Sequence, residues 1–205
     1  MKGLPKKLLP LTLFGIAAIT SLLSVQPAQA YMVTLEQVGS NVVATGTGAI
    51  NLTGLNFVES LTTFVSNGVT AASASIATGP SGVTLNINRY TGFTGPTSFG
   101  SGAGTPANPG SGDYVAIAGF VGLLVLPQGY VSNAALSDSM TFNHATFASL
   151  GVIPGTYEWT WGTGLPNQNF TLIIPRAGVP DGGSTVSLLS CALLGLAALR
   201  RKLGC

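Results

Sequence analysis

Turn-forming residues divide this 205-residue chain too finely for long helices. Its 28 glycines and 12 prolines punctuate short runs in which apolar and polar residues alternate, the spacing of half-buried strands. Met32–Val38 and Asn41–Gly46 flank Gly39-Ser40, a hairpin-type turn. Ala49–Thr53 reads as a short strand with Phe57-Val58 close behind, followed by Ala71–Ala77. In Val83–Asn88, Val83, Leu85 and Ile87 alternate with Thr84, Asn86 and Asn88, the period-two signature of one buried face. No long amphipathic helix competes, so residues 31–178 are expected to form one all-β domain, a sandwich or jelly roll.

Further along, Tyr90–Tyr114 holds seven glycines and three prolines and reads as an exposed loop. It has no GxGxxG or Walker spacing, so no phosphate cradle and no cofactor is expected there. Val115–Leu126 is the most apolar stretch of the domain. Twelve residues are too few to span a membrane, and Gly119 and Gly122 weaken a helix, which leaves a buried strand or strand pair. A strand signal in Ala134–Phe147 precedes a short helical turn at Ala145–Leu150. In Thr156–Trp161, the side chains of Tyr157, Trp159 and Trp161 share one face. Such a row is either core, the commoner case, or a platform on which sugars stack. Asn169–Ile174 follows as a strand.

Charge narrows the function. Residues 31–178 carry two bases, Arg89 and Arg176, against five acids, Glu36, Glu59, Asp113, Asp138 and Glu158. A nucleic-acid surface needs clustered cations, so nucleic acid is excluded as a partner. His144 is the sole histidine, no GxSxG elbow is present, and no Asp/Asn cluster suits a cation, so neither a catalytic triad nor a metal site is expected. Only a meeting of two of the five carboxylates in one cleft would support glycoside hydrolysis. The expectation is a non-enzymatic protein. Cys191 and Cys205 both fall beyond the domain, whose core must hold without a disulfide.

The two ends read as targeting segments. Residues 1–30 combine Lys2, Lys6 and Lys7, an apolar Leu8–Leu23 and the small-x-small run Ala28-Gln29-Ala30, the pattern of a secretory signal helix cut before Tyr31. Residues 179–205 run from Val179-Pro180-Asp181-Gly182-Gly183-Ser184-Thr185 through an uncharged Val186–Leu199 to Arg200-Arg201-Lys202. A 14-residue helix reaches roughly 21 Å against a hydrocarbon core of roughly 30 Å. It is apolar all round, however, and the cations can snorkel to headgroups, which favours a transmembrane helix over a buried one. Pro180 and the paired glycines keep residues 179–185 extended, as a protease requires.

This order of motif, apolar helix and basic end resembles the VPDSG-CTERM sorting signals, a branch of the PEP-CTERM class of Gram-negative surface proteins. Gly182 stands where that pattern has Ser. The resemblance covers residues 179–205 and implies that the chain is a substrate of an exosortase, an integral-membrane enzyme that recognises the motif and removes the anchor. It further implies transient attachment at the inner membrane, then a place at the cell surface or outside the cell, with a link to exopolysaccharide and biofilm. The expected partners are therefore signal peptidase, an exosortase-type enzyme, the membrane before processing, and extracellular polysaccharide.

Overall fold

A computed structural model describes residues 29–176. The signal helix with Ala28, and the tail with its motif, apolar segment and basic cluster, lie outside the described residues.

Among the described residues thirteen strands form two sheets. In chain order they are β1 (Tyr31–Val38), β2 (Asn41–Ala49), β3 (Asn56–Val65), β4 (Gly68–Thr70), β5 (Ser75–Thr78), β6 (Val83–Thr91), β7 (Thr105–Pro106), β8 (Asn108–Gly112), β9 (Val115–Ala118), β10 (Leu123–Pro127), β11 (Ala135–Phe142), β12 (Gly155–Thr160) and β13 (Asn169–Ile174). One sheet has the order β12-β13-β1-β2-β11-β8, the other β3-β6-β10-β9-β5-β4-β7. All pairings are antiparallel except β1 with β13, where Tyr31 lies opposite Phe170 and Thr34 opposite Ile173.

The alternation seen in the sequence becomes burial. Tyr31, Val33 and Leu35 of β1, Val42 and Ala44 of β2, and Phe170, Leu172 and Ile174 of β13 point inward from the first sheet. Val69, Ile76, Val115, Ile117, Leu124 and Leu126 face them from the second, and together they make one core, so the architecture is sandwich-like. A smaller cluster of Val65, Ile87 and Val125, joined by Leu61 and Leu85, covers the outer side of the second sheet.

Several boundaries depart from the sequence reading. Ala49 closes β2 and no strand follows through Thr53. There the Asn51 side chain accepts a hydrogen bond from the Thr53 N–H at 3.0 Å, replacing ladder pairing with a local turn. Ala71–Ala77 is divided by a 3₁₀ turn at Ala71–Ser73 and by Ala74, whose φ is +49°. Val115–Leu126 is the strand pair β9–β10, with Phe120 and Val121 exposed at its tip.

Tyr90–Tyr114 is not a free loop. It contains β7 and β8, its Phe99 is 1% exposed, and its backbone is tied to Ala71 and Gly151 through the N–H groups of Phe99 and Ser101. A Cβ at Gly102 would fall on the Leu150 carbonyl, so here glycine permits close backbone packing and does not signal mobility. At Ala145–Leu150 the expected helical turn reduces to one i→i+4 bond, from Leu150 N–H to Thr146 O at 3.0 Å.

Three of the four sheet edges are guarded. β7 is two residues long and contains Pro106, and β8 is short, with a register shift against β11. The outer side of β12 is covered by Thr94, which exchanges two backbone hydrogen bonds of 2.9 Å with Thr160. The fourth edge, β3, runs for ten residues and has no strand on its outer side among the described residues.

Candidate functional site

The aromatic row illustrates how one strand places its side chains. β12 alternates so that Tyr157, Trp159 and Trp161 face inward, as the spacing implies, and Trp159 and Trp161 are 0% and 6% exposed. The Trp159 indole N–H donates to Pro96 O at 2.9 Å and its ring meets Phe170 edge-on at 5.6 Å. The Trp161 N–H donates to Asn51 O at 2.7 Å, while Tyr157 packs beside Phe99 and donates its hydroxyl to Ile153 O. Both indoles are thus fully committed inside the fold. The ligand platform considered for Tyr157, Trp159 and Trp161 is corrected accordingly: stacking needs an open ring face, and this row is core.

Trp161 does reach the floor of an open groove of about 470 Å³, lined by Gly92, Thr94, Thr160, Gly162, Gln168 and Asn169 among others. No titratable side chain lines it. The Gln168 side-chain oxygen accepts from Thr163 and Leu165 N–H and its amide nitrogen donates to Thr53 O, while Asn169 donates to Glu158. The groove therefore supplies no acid–base chemistry.

Asp113 lies close enough to Asp138 for its charge to help raise the Asp138 carboxyl, whereas Glu36, Glu59 and Glu158 are exposed elsewhere. Glu59 pairs with Arg89 at 2.9 Å on the surface, Glu36 is exposed, and Asp113 accepts from Ser137 N–H at 2.9 Å. Asp113 alone of the acids lines a small cavity of about 170 Å³ beside Pro80 and Pro127. His144 is exposed with φ at +52°, its N–H held by the Asn41 side chain at 3.0 Å. Among the described residues no group of three or more His, Cys, Asp and Glu is placed to hold a metal.

One polar constellation lies inside the core. Asp138 sits in the inward row of β11 between Leu136 and Met140 and is 4% exposed. Its Oδ2 accepts the Tyr31 hydroxyl at 2.6 Å, and that hydroxyl lies 3.3 Å from Thr78 Oγ1, which donates to Val115 O. Asp138 Oδ1 has no partner. Gly46, directly across from Asp138, makes the room: a Cβ there would collide with Asp138 Oδ1 and the Tyr31 hydroxyl.

Burial raises the Asp138 carboxyl to about 6, while the Tyr31 and Thr78 hydroxyls pull it the other way. Burial, then the neighbouring Asp138, pushes the Tyr31 phenol well above its usual value, so it stays a neutral donor. The sequence reading placed Asp138 only among the five acids of the domain. The signal that could have singled it out is a charged residue on the apolar phase of a strand.

The residue that closes this cluster, Tyr31, is also the one expected to follow the signal peptidase site. Ala30 forms a bridge with Ala49, and Gln29 O accepts the Ala49 N–H at 2.8 Å. β13 finishes at Ile174, five positions before Val179, where the motif read in the sequence begins.

Neither the curated proteins nor the solved structures yield a match to this chain. One family does, over residues 178–203, described as the VPDSG-CTERM motif. The protein therefore carries a VPDSG-CTERM motif at its C-terminal end, the sorting signal of the exosortase-substrate family.

Proposed function

We propose that this is an exported surface or matrix protein that acts without catalysis, its β-domain delivered by a C-terminal signal that an exosortase-type enzyme processes. The observation that carries this reading is the motif over residues 178–203. Residues 1–30 act as a signal peptide cut by signal peptidase between Ala30 and Tyr31. Residues 31–178 form the delivered domain, and residues 179–205 the sorting segment. Val179, Pro180, Asp181, Gly182 and Gly183 are the recognised stretch, Val186–Leu199 the temporary membrane helix, and Arg200, Arg201 and Lys202 its cytoplasmic stop. The protein resides at the inner membrane until processed and then at the cell surface or outside, in an exopolysaccharide or biofilm setting.

Terminal-peptide mass mapping of the protein from membrane and secreted fractions of its host tests this. The expected mature form starts at Tyr31 and ends within Val179–Thr185. A surface form that still contains Cys205 would show that the tail is a permanent anchor and that no processing occurs.

A further inference from the structure

The long edge strand β3 is chemically self-complementary. β3 reads Asn-Phe-Val-Glu-Ser-Leu-Thr-Thr-Phe-Val, and its pairing with β6 skips one residue between Phe57 and Glu59. This bulge at Val58 puts Phe57 on the same face as Ser60, Thr62 and Phe64, whereas strict alternation would put Phe57 and Phe64 on opposite faces. Both rings are open to solvent, at 57% and 66% exposure. The Ser60 and Thr62 hydroxyls donate to Asn88 and Asn86 at 2.6 and 2.5 Å, which anchors them to the neighbouring strand.

Counted from Leu61 outward, the strand mirrors itself. Ser60 answers Thr62, Glu59 answers Thr63, and, once the bulged Val58 is skipped, Phe57 answers Phe64. A second β3 laid antiparallel about a twofold axis at Leu61 would place each residue opposite its counterpart on the same face. Two aromatic pairs then flank two hydroxyl pairs, and Glu59 never meets its own copy, because Thr63 faces it. The only acid in the strand is also neutralised within its own sheet by Arg89. Proline and lysine are absent from β3, whose guards are confined to its first half, the bulge at Val58 and Glu59, leaving Leu61–Val65 a regular free edge.

We propose that β3 is a homodimerisation strand: two copies of this protein join edge to edge in the register centred on Leu61, extending the seven-stranded sheet across the twofold axis. The proposal is independent of how the tail is processed.

The test uses the full chain purified in mild detergent, with Cys191→Ser and Cys205→Ser as background. Sedimentation should show a reversible dimer. Phe57→Lys and Phe64→Glu, each at an exposed position, should weaken it about tenfold, the cost of two aromatic pairs. Mixing the two variants should restore wild-type association, because the heterodimer gains one Lys–Glu pair and keeps one Phe–Phe pair. Under mild oxidation Leu61→Cys should cross-link between copies and Thr63→Cys should not, since only residue 61 faces itself. A monomer at the highest soluble concentration, a dimer indifferent to both substitutions, no recovery on mixing, or cross-linking at residue 63 in preference to 61 would each overturn it.

Discussion

Replacing Tyr31 by Phe removes one oxygen from a buried pair and should produce a loss of stability that depends on pH. Asp138 has a folded-state value of about 6 against an ordinary 3.8, so its charge opposes folding. The penalty is absent below 3.8, grows as pH rises from 3.8 to 6 and is complete above that. At 1.36 kcal/mol per pH unit it reaches about 3 kcal/mol. The Tyr31 hydroxyl, 2.6 Å from Oδ2, is the direct donor that offsets this cost. Without it, at about pH 7.5, a charged acceptor is left buried and unpaired, costing roughly 1.5–3 kcal/mol. At about pH 5 the folded acid is protonated and the loss falls to roughly 1 kcal/mol. Urea unfolding followed by the fluorescence of buried Trp159 and Trp161 reads both values. The difference should vanish in an Asp138→Asn background, where no charge remains to be served. Equal losses at the two pH values would refute the reasoning, because the hydroxyl would then be acting as packing alone.

Other consequences follow from neighbouring features. Gly46→Ala should destabilise by about 1–3 kcal/mol, since its methyl collides with Asp138 and Tyr31, and the unfolding midpoint in urea will report it. Trp159→Ala should cost roughly 3–5 kcal/mol in the same assay, and Trp159→Phe roughly 1 kcal/mol for the lost bond to Pro96. Pro180→Ala together with Asp181→Ala should make the unprocessed chain accumulate in the membrane fraction, read as a heavier band on immunoblots of the host, with the fold of residues 29–176 unchanged by circular dichroism.

What the sequence disclosed depended on whether burial leaves a period in the chain. β1, β2, β12 and β13 each bury one face, and their alternation is legible residue by residue. β3 buries only Val65, and Ser60, Thr62 and Phe64 are all exposed, so the strand shows no apolar rhythm beyond Phe57-Val58. Glycine misled in the opposite sense. Between Tyr90 and Tyr114 it reads as freedom, yet in the fold Gly95 and Gly102 lie where another backbone passes too close for a side chain. The buried Asp138 shows a third limit, because its partner Tyr31 is 107 positions away and no local pattern couples them. The tail motif was legible because it is a linear signal, read in order and not through a fold.

The parallel pairing of β1 with β13 has a consequence for delivery. These are the first and last strands of the domain, and they lie side by side within one sheet, Tyr31 beside Phe170. A chain that crosses a membrane from its N-terminal end releases β1 early, with β2 on one side and nothing on the other until the last strand emerges. Contacts of such long sequence separation form slowly, because nearly the whole chain must be gathered before they are made. The sheet therefore cannot close while β13 is still missing beside β1. β13 ends only a few residues before the sorting motif, so the last strand that the sheet needs and the signal are neighbours along the chain.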